Sequence, residues 1–286
     1  TSQANRIACY QNAKPYLISE IIQNKQKSLT LVITNDMQEA NALVKALEFL
    51  GDESESGKAF ILPDWETLPY DNFSPHEDII SQRLSTLAAL RSMQNGVLVV
   101  PVQTLLQRLP PVDFIAANSL SLQIDGRFNP DDYRRSLEQV GYRHVDTVYE
   151  HGEYAVRGSI FDVYPMGSEF PIRIELFDDE IESLRSFDPE TQRSKEKLKS
   201  IELLPAHEFP WDRASRLAFR NRWLDQFDEK SFSAPILRDI KEGIKPHGIE
   251  YYAPLFFESM ASLFEYLPYS TQLIFNAGFD DTLKAV

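Results

Sequence analysis

The run SLTLVITNDMQEANALVKALEFLG, Ser28 to Gly51, decides the fold class. Its first seven residues, Ser28–Thr34, are nearly all apolar or β-branched, as expected of a strand buried on both faces of a parallel sheet. Helical spacing follows at once, with Asp36 placed as N-cap and Gly51 as helix stop. Before it, LISEIIQN (Leu17–Asn24) is helical in period. After it come AFILP (Ala59–Pro63) as a second buried strand and SPHEDIISQRLSTLAALRSM as a helix. That helix has Ser74 as N-cap, Pro75 at the first helical position and Glu77 three residues on. GVLVVP (Gly96–Pro101) is a third buried strand and VQTLLQRLP a short helix. Strand–helix alternation over roughly residues 1–115 predicts an α/β unit on a parallel sheet.

From about Ser119 to Leu204 the pattern is strand-rich and alternating. SLQID is followed by the helical run NPDDYRRSLEQVGY and then by several short strands, which predicts an α+β module on an antiparallel sheet. From Pro205 the chain is helical and aromatic, and QLIFNAG (Gln272–Gly278) is a last apolar strand.

Composition narrows the chemistry. The 286 residues carry a net charge of −14. A surface that tracks phosphates needs clustered Lys and Arg, so nucleic acid is not the expected main partner. A single cysteine, Cys9, permits neither an internal disulfide nor a thiolate metal site, and fits a reducing, cytoplasmic setting. No apolar run approaches the ~20 residues of a membrane span. The polar start TSQANRIACYQNAKPY is not a signal peptide, and without an initiator Met the chain is expected to be part of something longer.

A phosphate cradle needs glycines for close backbone approach, a Lys for charge and a hydroxyl for magnesium. Gly57-Lys58 follows the acidic run DESES, which would repel phosphate. QNAKP (Gln11–Pro15) precedes the first helix and keeps Lys14, but lacks the glycines and has Pro where the hydroxyl belongs. An acidic residue closing a later strand would hold the metal. LIFNAGF instead ends in Asn276-Ala277-Gly278, with Asp280 and Asp281 too late, and reads as a capped helix start. His76, His144, His151, His207 and His247 show no ligand spacing, and no G-x-S-x-G elbow exists. The acids Asp178-Asp179-Glu180 lie between two strands and read as a hairpin turn. The stretch LPDWETLPYDNFSPHED (Leu62–Asp78) reads either as a packed loop holding Trp65, Tyr70 and Phe73 or as a loop facing DNA or nucleotide. This inventory predicts no enzyme and no bound cofactor or metal.

Side chains alternate along a strand. In PIRIELFDD, Ile172, Ile174 and Leu176 share one face, and Arg173, Glu175 and Phe177 share the other. Arg157, beside Gly158 in EYAVRGSIFDVYP, joins the second face if the strands pair. Aromatic and arginine together suit a protein interface, and a merely solvated strand face suits the pattern as well.

DWETLPYDNFSPHEDIISQRLSTL, GVLVVPVQTLLQRL, the run from Gly141 to Ser194, and LLPAHEFP resemble the N-terminal region of the Mfd family of bacterial transcription-repair coupling factors. They are also similar to the excision-repair protein UvrB. The resemblance covers essentially the whole chain. It implies a helicase-like (P-loop NTPase-like) unit in two parts, domain 1a at 1–115 and domain 1b at 205–286, with an inserted α+β domain 2 at 116–204. It implies a UvrB-like adaptor without a working ATPase, QNAKP standing where UvrB-type proteins have G-S-G-K-T. The alternative is a nucleotide-dependent DNA-binding or helicase module of excision repair. By the same resemblance UvrA docks on domain 2 at Arg157, Arg173 and Phe177, with Glu175 and Asp178 as neighbours. ATP, magnesium, DNA and RNA polymerase are then handled by regions outside this chain.

Overall fold

The computed structural model describes residues 7, 13–24, 28–50, 59–68, 73–227 and 234–285. The first elements in the chain are α1 (Lys14–Asn24), β1 (Leu29–Thr34), α2 (Met37–Leu50), β2 (Ala59–Ile61), α3 (Glu77–Leu90), β3 (Gly96–Pro101) and α4 (Val102–Leu106). Next come α5 (Phe114–Ala117), β4 (Leu120–Gln123), α6 (Pro130–Gln139), β5 (Arg143–His144), β6 (Glu153–Arg157) and β7 (Ile160–Val163). β8 (Ile172–Phe177), β9 (Glu180–Phe187), β10 (Ser194–Leu198) and β11 (Ser200–Leu203) complete the strand-rich part. The rest holds α7 (Arg213–Gln226), α8 (Pro235–Glu242), a 3-10 segment (Ile249–Phe256), α9 (Leu263–Tyr266), β12 (Gln272–Phe275) and α10 (Phe279–Ala285).

The described residues are mixed α/β, forming one parallel and two largely antiparallel sheets, and the chain divides into two compact units. One unit comprises residues 1–64, 89–107 and 266–286. Its parallel sheet has the order β12-β1-β3-β2. β1 and β3 are central and buried at every residue, which is why both read as unbroken apolar runs. The Glu39 amide donates to Asp36 Oδ1 at 2.8 Å, so Asp36 caps α2. Leu43 and Leu47 of α2 then pack with Ile18 and Ile22 of α1 over Val32, Val97 and Val99. Gly51 lies outside the described residues.

The other unit comprises residues 65–88 and 108–265. Its larger sheet has the order β10-β9-β8-β7-β6-β5, antiparallel except for β5 with β6. One face is aromatic: Phe128 meets Phe161 edge-on at 5.1 Å and stacks on Tyr133 of α6 at 4.1 Å. Asn129 caps α6 and Leu137 is its buried anchor. β4 and β11 form a separate ribbon. A third cluster joins Phe219 and Trp223 of α7 to Leu237 and Ile240 of α8 and Phe256 of the 3-10 segment.

Two buried networks tie this unit together. Arg83 of α3, fully buried, donates to Glu208 through Nε at 2.5 Å and Nη2 at 3.1 Å. Trp65 Nε1 donates to the same carboxylate at 3.3 Å, and its ring meets Tyr251 edge-on at 5.1 Å. Trp65 is thus a packed residue, Phe73 is exposed, and Tyr70 lies outside the described residues. The Ser74 cap differs from expectation, since α3 begins at Glu77. Ser74 Oγ instead donates to Glu250 at 2.9 Å and accepts from the Gly248 amide at 3.0 Å. Glu250 is remote in sequence, so no local pattern shows this bond.

His207 is buried beside Gly141. A Cβ on Gly141 would lie 2.7 Å from His207 Cδ2, and its φ of +97° suits glycine. Gly158, at φ +61°, has nothing among the described residues within 4 Å of such a Cβ. Gly158→Ala should therefore cost about 1 kcal/mol from backbone strain alone, and Gly141→Ala clearly more, as urea unfolding would show. Burial, helped by Lys245, holds the His207 pKa well below its usual value. The unfolded chain takes up that proton below about pH 6.5 and the folded one does not. Stability should therefore fall on acidification below that pH, by at most about 1.4 kcal/mol per unit from this group. His207→Gln should flatten the loss between pH 7 and 5.5, which paired urea titrations would measure.

Candidate protein-docking face

The second face of the six-stranded sheet is set by register. Asp162 of β7 stands opposite Arg173 of β8, and Ile160 opposite Glu175. Across β6 and β7, Arg157 is opposite Ile160 and Ala155 opposite Asp162. Paired residues point to the same side, so Arg157, Asp162, Arg173, Glu175 and Phe177 share one face. The alternation in β8 is as its sequence reads: Ile172, Ile174 and Leu176 are buried, and Phe177 is 69% exposed.

The structure adds Asp162, which sequence reasoning missed. Its side chain is 1% exposed and accepts from two arginines. Arg173 binds it through Nε at 2.8 Å and Nη2 at 2.9 Å. Arg157 binds it through Nη2 at 2.8 Å. An unpaired buried carboxylate is costly, so these guanidiniums are structural requirements as well as surface features. The hydrogen bond to Asp162 raises the Arg173 pKa further, against the opposing effect of burial. The available signal was the acid inside the apolar run IFDVYP, which asks for a basic neighbour.

The remaining predicted residues lie around this pair. Glu175 accepts from Ser183 Oγ at 2.5 Å and is 4.0 Å from Arg185 Nη2. Phe177 ends β8 opposite Glu180, with Asp178 and Asp179 forming the two-residue turn between. Asp178 has a left-handed φ of 54°, which Asp tolerates, so the acidic run serves the turn. The inner end of the face is closed by Val148, Ala155, Tyr164 and Phe187.

The phosphate-cradle candidates lie elsewhere. Gln11, Asn12 and Gly57-Lys58 are outside the described residues. Lys14 Nζ sits 2.5 Å from Glu39 Oε1, and Glu39 Oε2 accepts from the Asn35 amide at 3.0 Å. Burial works against the Glu39 charge, but the Lys14 and Asn35 bonds outweigh it and hold its pKa down. Asn276 is buried at the end of β12, and Asp280 and Asp281 lie in the first turn of α10. Among the described residues, no three His, Cys, Asp or Glu side chains converge as metal ligands would. No described helix is long and apolar enough to cross a membrane.

Unequal burial sets unequal stability effects. Arg173→Ala should cost about 3 kcal/mol by removing its two hydrogen bonds to buried Asp162, and Arg157→Ala, half exposed, less than about 1 kcal/mol. Denaturant midpoints of the two variants test this ordering.

Comparison with known proteins places a family description on this module. Residues 120–209 match the UvrB interaction domain. The chain is 48% identical to the transcription-repair-coupling factor of Escherichia coli over 90% of its own length and 22% of that protein. The corresponding values are 46%, 90% and 22% for the Haemophilus influenzae protein, and 31%, 90% and 23% for that of Bacillus subtilis. The chain thus spans about a fifth of the length of these curated relatives.

Proposed function

We propose that the chain, which is similar to transcription-repair-coupling factors and matches the UvrB interaction domain at residues 120–209, corresponds to their UvrB-like N-terminal region and is a non-catalytic adaptor that docks UvrA. In this reading it recruits nucleotide excision repair to stalled RNA polymerase in the cytoplasm. The observation that carries the proposal is the exposed Phe177 on the same sheet face as the half-exposed Arg157, within the matched domain. Phe177 supplies apolar area, Arg157 and Arg173 supply the positive charge, and Glu175 and Asp178 flank them. Domains 1a (1–115) and 1b (205–286) form the helicase-like frame in this proposal, and domain 2 (116–204) the docking module.

The ion pair between Lys14 and Glu39 supports the non-catalytic part. A lysine already neutralised by an internal carboxylate is poorly placed to meet a phosphate. ATP and magnesium, like DNA and RNA polymerase, are assigned to regions outside this chain.

Calorimetric titration with UvrA tests the docking. Phe177→Ala should weaken binding by about 2 kcal/mol, roughly 30-fold, and Arg157→Ala should weaken it as well. Wild-type affinity in both variants would refute the proposal. A fluorescent ATP analogue should show no micromolar binding to the chain, and its binding would favour a nucleotide-dependent DNA module instead.

A further inference from the structure

The two arginines of the face are unequally free. Arg173 directs Nε and Nη2 to Asp162, and Nη1 to the Gln192 carbonyl at 3.3 Å. Its guanidinium also lies over the Phe187 ring at 4.7 Å, and 15% of its side chain is exposed. Little of it remains for a partner. Among the described residues, Arg157 makes one hydrogen bond, from Nη2 to Asp162 Oδ2, and half of its side chain is exposed.

We propose that Asp162, clamped by Arg173, is a positioning residue that aims the free edge of the Arg157 guanidinium at a carboxylate or carbonyl of the docked protein. The inference rests on the UvrA-docking reading and deepens it. A long side chain on a strand end samples many rotamers, and ordering it on binding costs affinity. One fixed hydrogen bond from Nη2 removes most of that freedom in advance while leaving the other guanidinium donors for the partner. The carboxylate also separates two cations that would otherwise repel, and leaves a net positive charge on the outer one. Arg173 thereby becomes a support, and Arg157 and Phe177 the contacts.

A double-mutant cycle on the 286-residue chain, read by UvrA affinity, separates positioning from simple folding. Asp162→Asn keeps shape and removes the charge. It should weaken binding about tenfold in the wild-type and Phe177→Ala backgrounds, and less than about twofold in Arg157→Ala. If Asp162→Asn does not fold, Arg173→Lys replaces it, with the same pattern expected, since the clamp and not the charge is lost. An equal loss in the Arg157→Ala background, or no loss in the wild-type background, would overturn the positioning role. Wild-type binding by both Arg157→Ala and Phe177→Ala would instead overturn the docking reading on which it rests.

Discussion

The candidate docking face is organised by one buried carboxylate. Asp162 sits in the middle of the six-stranded sheet with 1% of its side chain exposed, where an isolated charge would be far from tolerable. Its two oxygens are satisfied by Arg173 from the neighbouring strand and Arg157 from the other side. The register that makes this possible also sets Glu175 and Phe177 on the same side. Coulomb attraction, strand pairing and the exposed patch are therefore one constraint, and a slip of one residue would break all three.

The frame behind that face rests on similar chemistry. Arg83 and Glu208 are both buried, and Trp65 shares their carboxylate. Such pairs add less net stability than apolar packing would, but breaking one partner is severe. They fix which segments meet: the loop before α3, the helix itself and the strand exit at Glu208. Gly141 and His207 add a close approach in the same unit that tolerates no side chain.

Much of this was legible from local pattern. β1, β3 and α2 follow from apolar runs and a capping Asp36, because parallel strands are buried on both faces and helices repeat every 3.6 residues. The grouping of Arg173, Glu175 and Phe177 follows from strand alternation. Asp162 was not found, because alternation gives faces but not which strands pair, and its role exists only once β7 lies between β6 and β8. Ser74 escaped for the same reason, its partners Glu250 and Gly248 being more than a hundred residues away. The proposed partner rests on resemblance, since a charged aromatic face states the chemistry of a partner and not its name.

In the proposed complex UvrA covers the Arg157–Phe177 face. Amide hydrogen exchange of the chain, free and saturated with UvrA, tests it without altering a residue. The hairpin turns at Gly158-Ser159 and Asp178-Asp179 border the face and carry amides outside the ladders. Exchange there should slow in the complex, while the exposed end of α2 around Phe49 should be unchanged. Protection around Phe49 or elsewhere, with both turns exchanging as in the free chain, would contradict it.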